Sequence, residues 1–343
     1  MLVHAPEPTP GTSAPESAAP DLMPSDAVEI PKPDFLQLAW DERLAGHAAA
    51  RAREWLAEDL GCECDWTSVW LVPDTAVADL LVTARAEGLI AGLPLGPIVA
   101  AMVDEAVRFE PLVAEGSRVT PGDAVARLAG PVRDVLTIER TLLNALGRMS
   151  GVATATAELV REAAGRTCRV YDTRKTVPGW RMLDKYAVRV GGGWNHRLGL
   201  ADAILIKDNH LAELRREGFG AAEAVRRARG RMQAAFPPRR AASTVVEVEL
   251  DRLDEFREVL EAGPDVVLLD NMPPPLLREA VALRDRLAPS VILEASGGIR
   301  PGSIAAVAAA GVERISTGWP THASAWLDLG LDWATGPGGG NSG

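Results

Sequence analysis

Apolar residues recur at helical spacing over residues 41–60, DERLAGHAAARAREWLAEDL, and the pattern stops at Gly61. Short apolar runs near 76–84 follow, and then 95–109 reads as helix. In VAEGSRVTPGDAVARLAG (113–130), Gly116 and the Pro121-Gly122 pair break short alternating strands. Together these predict a first α+β unit with an antiparallel sheet. A long helical stretch runs from Asp134 to Gly165, with Ser150-Gly151 as the place for a bend. After Gly165 the pattern changes to short β-rich runs: CRVYDT (168–173), AILIKD (203–208), TVVEVEL (244–250), DVVLLD (265–270), VILEAS (291–296) and RIST (314–317). Helical segments such as 252–262, 274–288 and 302–310 lie between them. Alternation of this kind predicts βαβ units on a parallel sheet, hence a closed or nearly closed α/β barrel. The runs finish on or near Asp172, Asp208, Glu249, Asp270, Glu294 and Ser316. Barrel active sites collect at the carboxyl ends of the strands, so these positions predict a catalytic ring.

Composition changes this picture mainly at the ends. Residues 1–33 are rich in Pro, Ala, Ser and Glu and fit neither a signal nor a transit peptide, so they are expected to form a disordered tail. The Gly-rich stretch 334–343 is expected to be loose as well. The chain's 343 residues are 47% hydrophobic and 24% charged, as in a soluble globular protein, and no apolar run is long enough to span a bilayer. Three cysteines cannot form a paired disulfide framework, which favours a reducing, cytoplasmic setting. Cys62-x-Cys64 lacks a second Cys/His pair and is not read as a zinc site.

Charge singles out one stretch. The formal net charge is −11, yet residues 172–210 carry Arg174, Lys175, Lys185, Arg189, His196, Arg197 and Lys207. A cationic knot in an acidic protein points to a small polyanion. Nucleic acid is a poorer match, with no basic face elsewhere and few aromatics. Arg174, Lys175, His196, Arg197 and Lys207 would suit a ligand with two carboxylates, since arginine donates two parallel hydrogen bonds. Glu247, Glu249 and Asp270 could hold Mg²⁺ or equally form structural ion pairs. Ser296-Gly297-Gly298 and Ser316-Thr317-Gly318 could cradle a phosphate or simply make tight turns, and Gly191-Gly192-Gly193 could serve to fold His196 and Arg197 inward. The residues alone reach as far as a phosphorylated sugar meeting a dicarboxylate.

The blocks EDLG (58–61), ERTLLN (139–144), MSGVAT (149–154), DTRKTVPGWRMLDKYAV (172–188), GGGWNHRLGLADAILIKDNH (191–210), VEVEL (246–250), LLDN (268–271), EASGGI (294–299) and ISTG (315–318) resemble, in this order, the quinolinate phosphoribosyltransferases. The resemblance runs from about Trp40 to His322. It implies an α/β protein with an N-terminal α/β sandwich domain over 34–145 and a C-terminal incomplete parallel α/β barrel over 146–318, the chain after about 319 packing back on the first. It implies that Arg174, His196, Arg197 and Lys207 grip quinolinate, joined by Arg140 from the neighbouring subunit of a homodimer. Lys175 and Lys207 are then expected by the phosphoribosyl pyrophosphate, Glu249 and Asp270 at its ribose and Mg²⁺, and Ser296, Gly297, Gly298, Ser316, Thr317 and Gly318 at its 5′-phosphate. The implied catalytic set is Lys175, Lys207, Glu249 and Asp270. The implied reaction yields nicotinate mononucleotide, CO₂ and pyrophosphate.

The Pro-rich tail, the CECDW segment after EDLG and residues 229–243, which read as an enlarged loop, depart from the family pattern. Rival readings are a phosphoribosyltransferase for nicotinate or another acid, a Schiff-base aldolase using Lys175 or Lys207, and a silent phosphoribosyl-pyrophosphate sensor.

Overall fold

The computed structural model describes residues 34–334, so the tails expected over 1–33 and 335–343 lie outside the described residues. Its first helix, Glu42–Leu60, starts where Asp41 accepts the Leu44 N–H at 2.8 Å and ends at Gly61, whose φ of 59° is left-handed. Leu44, Ala48, Ala52 and Leu56, one per turn, are its buried stripe.

Strands β1 (Val77–Ala84), β3 (Arg108–Pro111) and β5 (Ala124–Pro131) join β12 (Leu329–Trp333) in one antiparallel sheet of order β12-β1-β5-β3. The short β2 (Gly88–Leu89) and β4 (Arg118–Val119) pair separately. The helix expected over 95–109 is confined to Gly96–Ala100. Phe109 and its neighbours are extended because they pair with β5, and Phe109 packs its ring against Gly96, where no Cβ stands in the way.

The helix Val132–Ala163 is continuous through Ser150-Gly151, with no break where the two domains were expected to meet. Its small residues admit close neighbours. A Cβ on Gly147 would lie 2.8 Å from the Leu327 carbonyl oxygen, and Gly151 is equally crowded by Ala325 and Trp326. One face of this helix packs on the antiparallel sheet, and its later turns pack on the second unit.

The second unit carries β6 (Arg169–Tyr171), β7 (Ala203–Ile206), β8 (Val245–Leu250), β9 (Val266–Asp270), β10 (Ile292–Ser296) and β11 (Arg314–Ser316). All pairings in this sheet are parallel, in the order β6-β11-β10-β9-β8-β7. β6 and β7 are the two edge strands and do not pair with each other, so the barrel is incomplete. The loop Gly193–His196 runs beside β6. The Trp194 N–H donates to the Val170 carbonyl at 2.7 Å, and the Asp172 N–H donates to the Trp194 carbonyl at 2.9 Å. β8, β9 and β10 are almost wholly buried runs, as expected for parallel strands covered on both faces. Residues 229–243 are no loop: the helix Ala221–Ala235 ends ahead of Pro237, and Pro238 at a first-turn position starts a second helix, Pro238–Ser243.

Candidate active site

The Asp172 carboxylate organises the cationic stretch. It ends the β6 run, is fully buried, and accepts from Lys185 Nζ, from the His196 N–H at 2.8 Å and from Asn195 Nδ2 at 2.7 Å. Burial pushes the Asp172 carboxyl up and the Lys185 ammonium down, each towards neutrality. Three donors aimed at one carboxyl require the carboxylate, so the ion pair is the state this geometry describes. Lys185 also donates to the His196 carbonyl at 2.8 Å. Lys185 therefore serves the fold and is not open to a ligand. Arg189 is likewise spoken for, lying over the Trp194 ring and donating to the Gly193 carbonyl. Their helix, Arg181–Val190, is fixed by Arg148, which donates to both Asp184 oxygens at 3.0 and 2.9 Å.

The glycine run 191–193 is dictated by close approach. A Cβ on Gly191 would lie 2.7 Å from Thr156 Cβ, and one on Gly193 would lie 2.6 Å from Thr156 Cγ2. The loop can then press on the long helix and deliver His196 and Arg197 to the gap between β6 and β7. Arg197 is buried, and its guanidinium makes one long contact, 3.5 Å, to the Ala203 carbonyl of β7. Burial first, and then the neighbouring Arg174 guanidinium, push Arg197 below the usual arginine range. The Nε of Arg174 is buried without a partner. Two neighbouring arginines with donors to spare form a site for an anion.

His196 occupies a deeper layer. Its Nε2 lies 3.3 Å from Glu247 and 3.5 Å from Glu294, both fully buried, and its Nδ1 accepts the Arg197 N–H at 2.9 Å. Burial would lower the imidazole, but the two carboxylates overrule it and raise it to about 9. That pull favours the cation, whereas an Nδ1 that accepts carries no proton. The directed hydrogen bond decides for the neutral ring with its proton on Nε2. Burial and the Glu294 charge push Glu247 up, while His196 and Arg314 hold Glu294 below the usual range despite its burial. His196, Glu247 and Glu294 are also the only cluster among the described residues with metal-ligand spacing. Cys62 and Cys64 are exposed and unpaired.

The barrel mouth holds the remaining residues. Lys207 follows β7 and pairs with Glu249 on β8. Asp270 ends β9 and accepts from Asn271 Nδ2 at 2.6 Å, with Asn271 itself left-handed at φ 56°. Ser296 ends β10 beside it and accepts the Asn271 N–H at 2.9 Å through its carbonyl. Gly297, at φ 97°, could not carry a Cβ, which would fall 2.7 Å from the Asn271 nitrogen; Gly298 faces open space. Gly318 is buried beneath Lys175, whose Cδ would lie 3.0 Å from a Cβ there. Two members of this set are buried inward instead: Ser316 lies by Glu294, and the Thr317 hydroxyl donates to the Ile299 carbonyl at 2.6 Å. Arg140 stands apart on the long helix, exposed, with Glu139 at 3.4 Å as its ion-pair partner.

An open parallel barrel whose mouth sets arginines and a lysine among carboxylates and glycine turns defines an enzyme for anionic substrates. Comparison with known proteins agrees. Family profiles described as quinolinate phosphoribosyl transferase, N-terminal and C-terminal domains, match residues 65–150 and 152–332. A nicotinate-nucleotide pyrophosphorylase [carboxylating] from Mycobacterium leprae is 40% identical over 282 residues, 82% of this chain and 95% of that one. A probable one from Synechocystis is 37% identical over 279 residues, covering 81% and 90%. The solved nicotinate-nucleotide pyrophosphorylase of Francisella tularensis superposes with a TM-score of 0.76 at 35% identity, over 87% of this chain and 99% of that one. The chain belongs to the quinolinate phosphoribosyltransferase family.

Proposed function

We propose that the protein transfers the phosphoribosyl group of 5-phosphoribosyl 1-pyrophosphate to quinolinate with loss of CO₂, giving nicotinate mononucleotide and pyrophosphate for NAD synthesis. The observation that carries this reading is the pair of neighbouring arginines, half-buried Arg174 with its partnerless Nε and buried Arg197, close enough to feel each other's charge and that of Glu249, which pairs with Lys207. One carboxylate would satisfy each arginine. The site strips water from the dianion and fixes its ring nitrogen towards the sugar. Attack at the ribose C1 expels pyrophosphate through an oxocarbenium-like state, which Glu249 and Asp270 stabilise from the strand ends while Lys175 and Lys207 take up charge on the phosphates. The positive charge of the quaternised ring nitrogen then stabilises the electron pair left on the neighbouring carbon as CO₂ departs, and that carbon takes up a proton from solvent to give the product.

Glu249 and Asp270 lie on adjacent strands, and Glu249 pairs in register with Leu268, two residues before Asp270, so both project to one face. That donor set fits Mg²⁺, which takes one or two carboxylates and completes its shell with water and phosphate oxygens. The ion would offset charge on the leaving pyrophosphate. Gly297 and Gly298 with Gly318 are the backbone cradle for the 5′-phosphate. The prediction there is specific: Gly297→Ala forces a side chain into left-handed backbone against Asn271, a strain of about 1–3 kcal/mol. KM for phosphoribosyl pyrophosphate should rise about tenfold or more with quinolinate binding unchanged, as steady-state kinetics and calorimetry would show.

Arg140 completes a partner's site in a homodimer. Its exposure on the long helix, beside the exposed Trp66, Trp70 and Leu71 of a helix packed on the same element, supports this. No helix among the described residues is long and apolar enough to cross a membrane, and the three free cysteines suit a cytoplasmic setting. The test is CO₂ release with quinolinate against nicotinate as acceptor. Arg140→Ala and Arg174→Ala should each lose turnover about a hundredfold. Co-refolded, they should recover about a quarter of it, because half the dimers are mixed and each then has one intact site. A mixture no more active than its parts would end the shared-site reading.

A further inference from the structure

Residues 34–38 form no regular element, yet they are bound to the barrel by packing, an ion pair and hydrogen bonds. The Phe35 side chain, 7% exposed, packs among Ala203, Val245, Val266 and Ile292, the opening residues of β7 to β10. It therefore sits inside the barrel at the amino-terminal end, opposite the mouth, as a plug in the floor. Its ring stacks on the His196 imidazole with centroids 4.2 Å apart and planes at 30°, and Tyr171 meets it edge-on at 6.4 Å.

The plug is locked on both sides. Asp34 accepts from the Tyr171 hydroxyl at 2.9 Å and pairs with the fully buried Arg314 at 3.1 Å. Gln37 meets Asn195 reciprocally: the Asn195 N–H donates to Gln37 Oε1 at 2.7 Å, and Gln37 Nε2 donates to the Asn195 carbonyl at 3.0 Å. The Leu38 N–H adds a bond to Asn195 Oδ1 at 2.9 Å. Asn195 is the residue that leads into His196 and Arg197, so the segment grips that loop at its root and presses on the ring that follows.

We infer that the strap Asp34–Leu38 is a positioning element of the acceptor site, holding the His196 ring through Phe35 and the Arg197 backbone through Gln37 and Asn195. Without it the imidazole has Tyr171 only at its edge, and the Asn195 backbone loses two bonds. Arg197, whose guanidinium has one long contact of its own, would wander with the loop. The strap touches no substrate; its effect reaches the acceptor through Arg197, which the functional reading above places there, and through the His196 ring in the layer beneath it, and the inference rests on that reading.

The experiment uses the full chain and three variants: Phe35→Ala, Phe35→Leu and Gln37→Ala. KM is measured separately for quinolinate and for phosphoribosyl pyrophosphate, and the His196 ring is followed by heteronuclear NMR, with His196→Gln identifying its signal. The expected result is a rise of about tenfold or more in KM for quinolinate in Phe35→Ala and Gln37→Ala, with KM for the pyrophosphate changed less than about twofold. Phe35→Leu, which refills the floor but cannot stack, should restore thermal stability yet keep a raised quinolinate KM. The Nε2–H of His196 should be sharp and slow to exchange in the unaltered protein and broadened in both Phe35 variants. If Phe35→Ala does not fold, Phe35→Leu and Gln37→Ala give the same readings. Unchanged quinolinate KM, a parallel rise for both substrates, full rescue by Phe35→Leu, or an unmoved His196 signal overturns the inference. Absence of quinolinate turnover in the unaltered chain would instead sink the functional reading, while the NMR comparison still judges the strap.

Discussion

Arg197→Ala is expected to lower kcat/KM for quinolinate by about two orders of magnitude, within a range set by about 2–5 kcal/mol for leaving a buried carboxylate without its partner. The loss should fall on quinolinate and leave pyrophosphate binding nearly intact. Stability should change little, because the guanidinium gives the fold one 3.5 Å contact and stands in the field of Arg174. Removing one of two like charges even relieves repulsion in the empty protein. Arg197→Lys should recover only a small part of the activity, since an ammonium cannot offer two parallel donors to a planar carboxylate. Initial rates over a quinolinate series, paired with a thermal melt, decide the matter. A variant that melts early, or one that retains its quinolinate KM, would place Arg197 in the architecture and out of the acceptor site.

The second large effect concerns the ion pair under the site. Asp172→Asn, or Lys185→Met, strands the other charge where neither side chain touches solvent, and each should destabilise the protein by about 3–5 kcal/mol. The double variant Asp172→Asn with Lys185→Met should be far less damaged than the two losses added together, because no uncompensated charge remains. Urea unfolding of all four proteins gives the coupling directly. Additive losses would mean that the pair does not act as a unit. Even the well-folded double variant should be slow, since Asp172 also receives the His196 N–H and the Asn195 side chain.

The barrel was legible because its strands are nearly unbroken apolar runs ending in acids or small polar residues, a pattern that few other arrangements produce. Lys207, Glu249, Asp270 and Ser296 stand at strand ends where that pattern put them. Charge counting was less discriminating. Lys185 and Arg189 belonged to the same cationic run as Arg174, but a helix turns them inwards onto Asp172 and Trp194, and helical phase alone does not reveal which buried partner waits there. The same pattern put Glu294 in the ring at the strand ends, whereas it lies two residues inside the end of β10, in the layer below, against His196. The strap escaped notice because it falls between a Pro-rich tail and a capped helix. Asp34 and Phe35 have no periodicity, and their contacts are with residues more than a hundred positions away. Two helix errors have local causes: strand pairing by Phe109 ended one early, and Pro237-Pro238 marked a helix-to-helix junction, not a loop.

The pairing of β12 with β1 ties Leu80 to Trp333 and so makes the first sheet depend on nearly the last described residues. A ribosome would have to finish every strand of the barrel before that sheet could gain its outer strand. The amino-terminal unit, although made first, thus matures last.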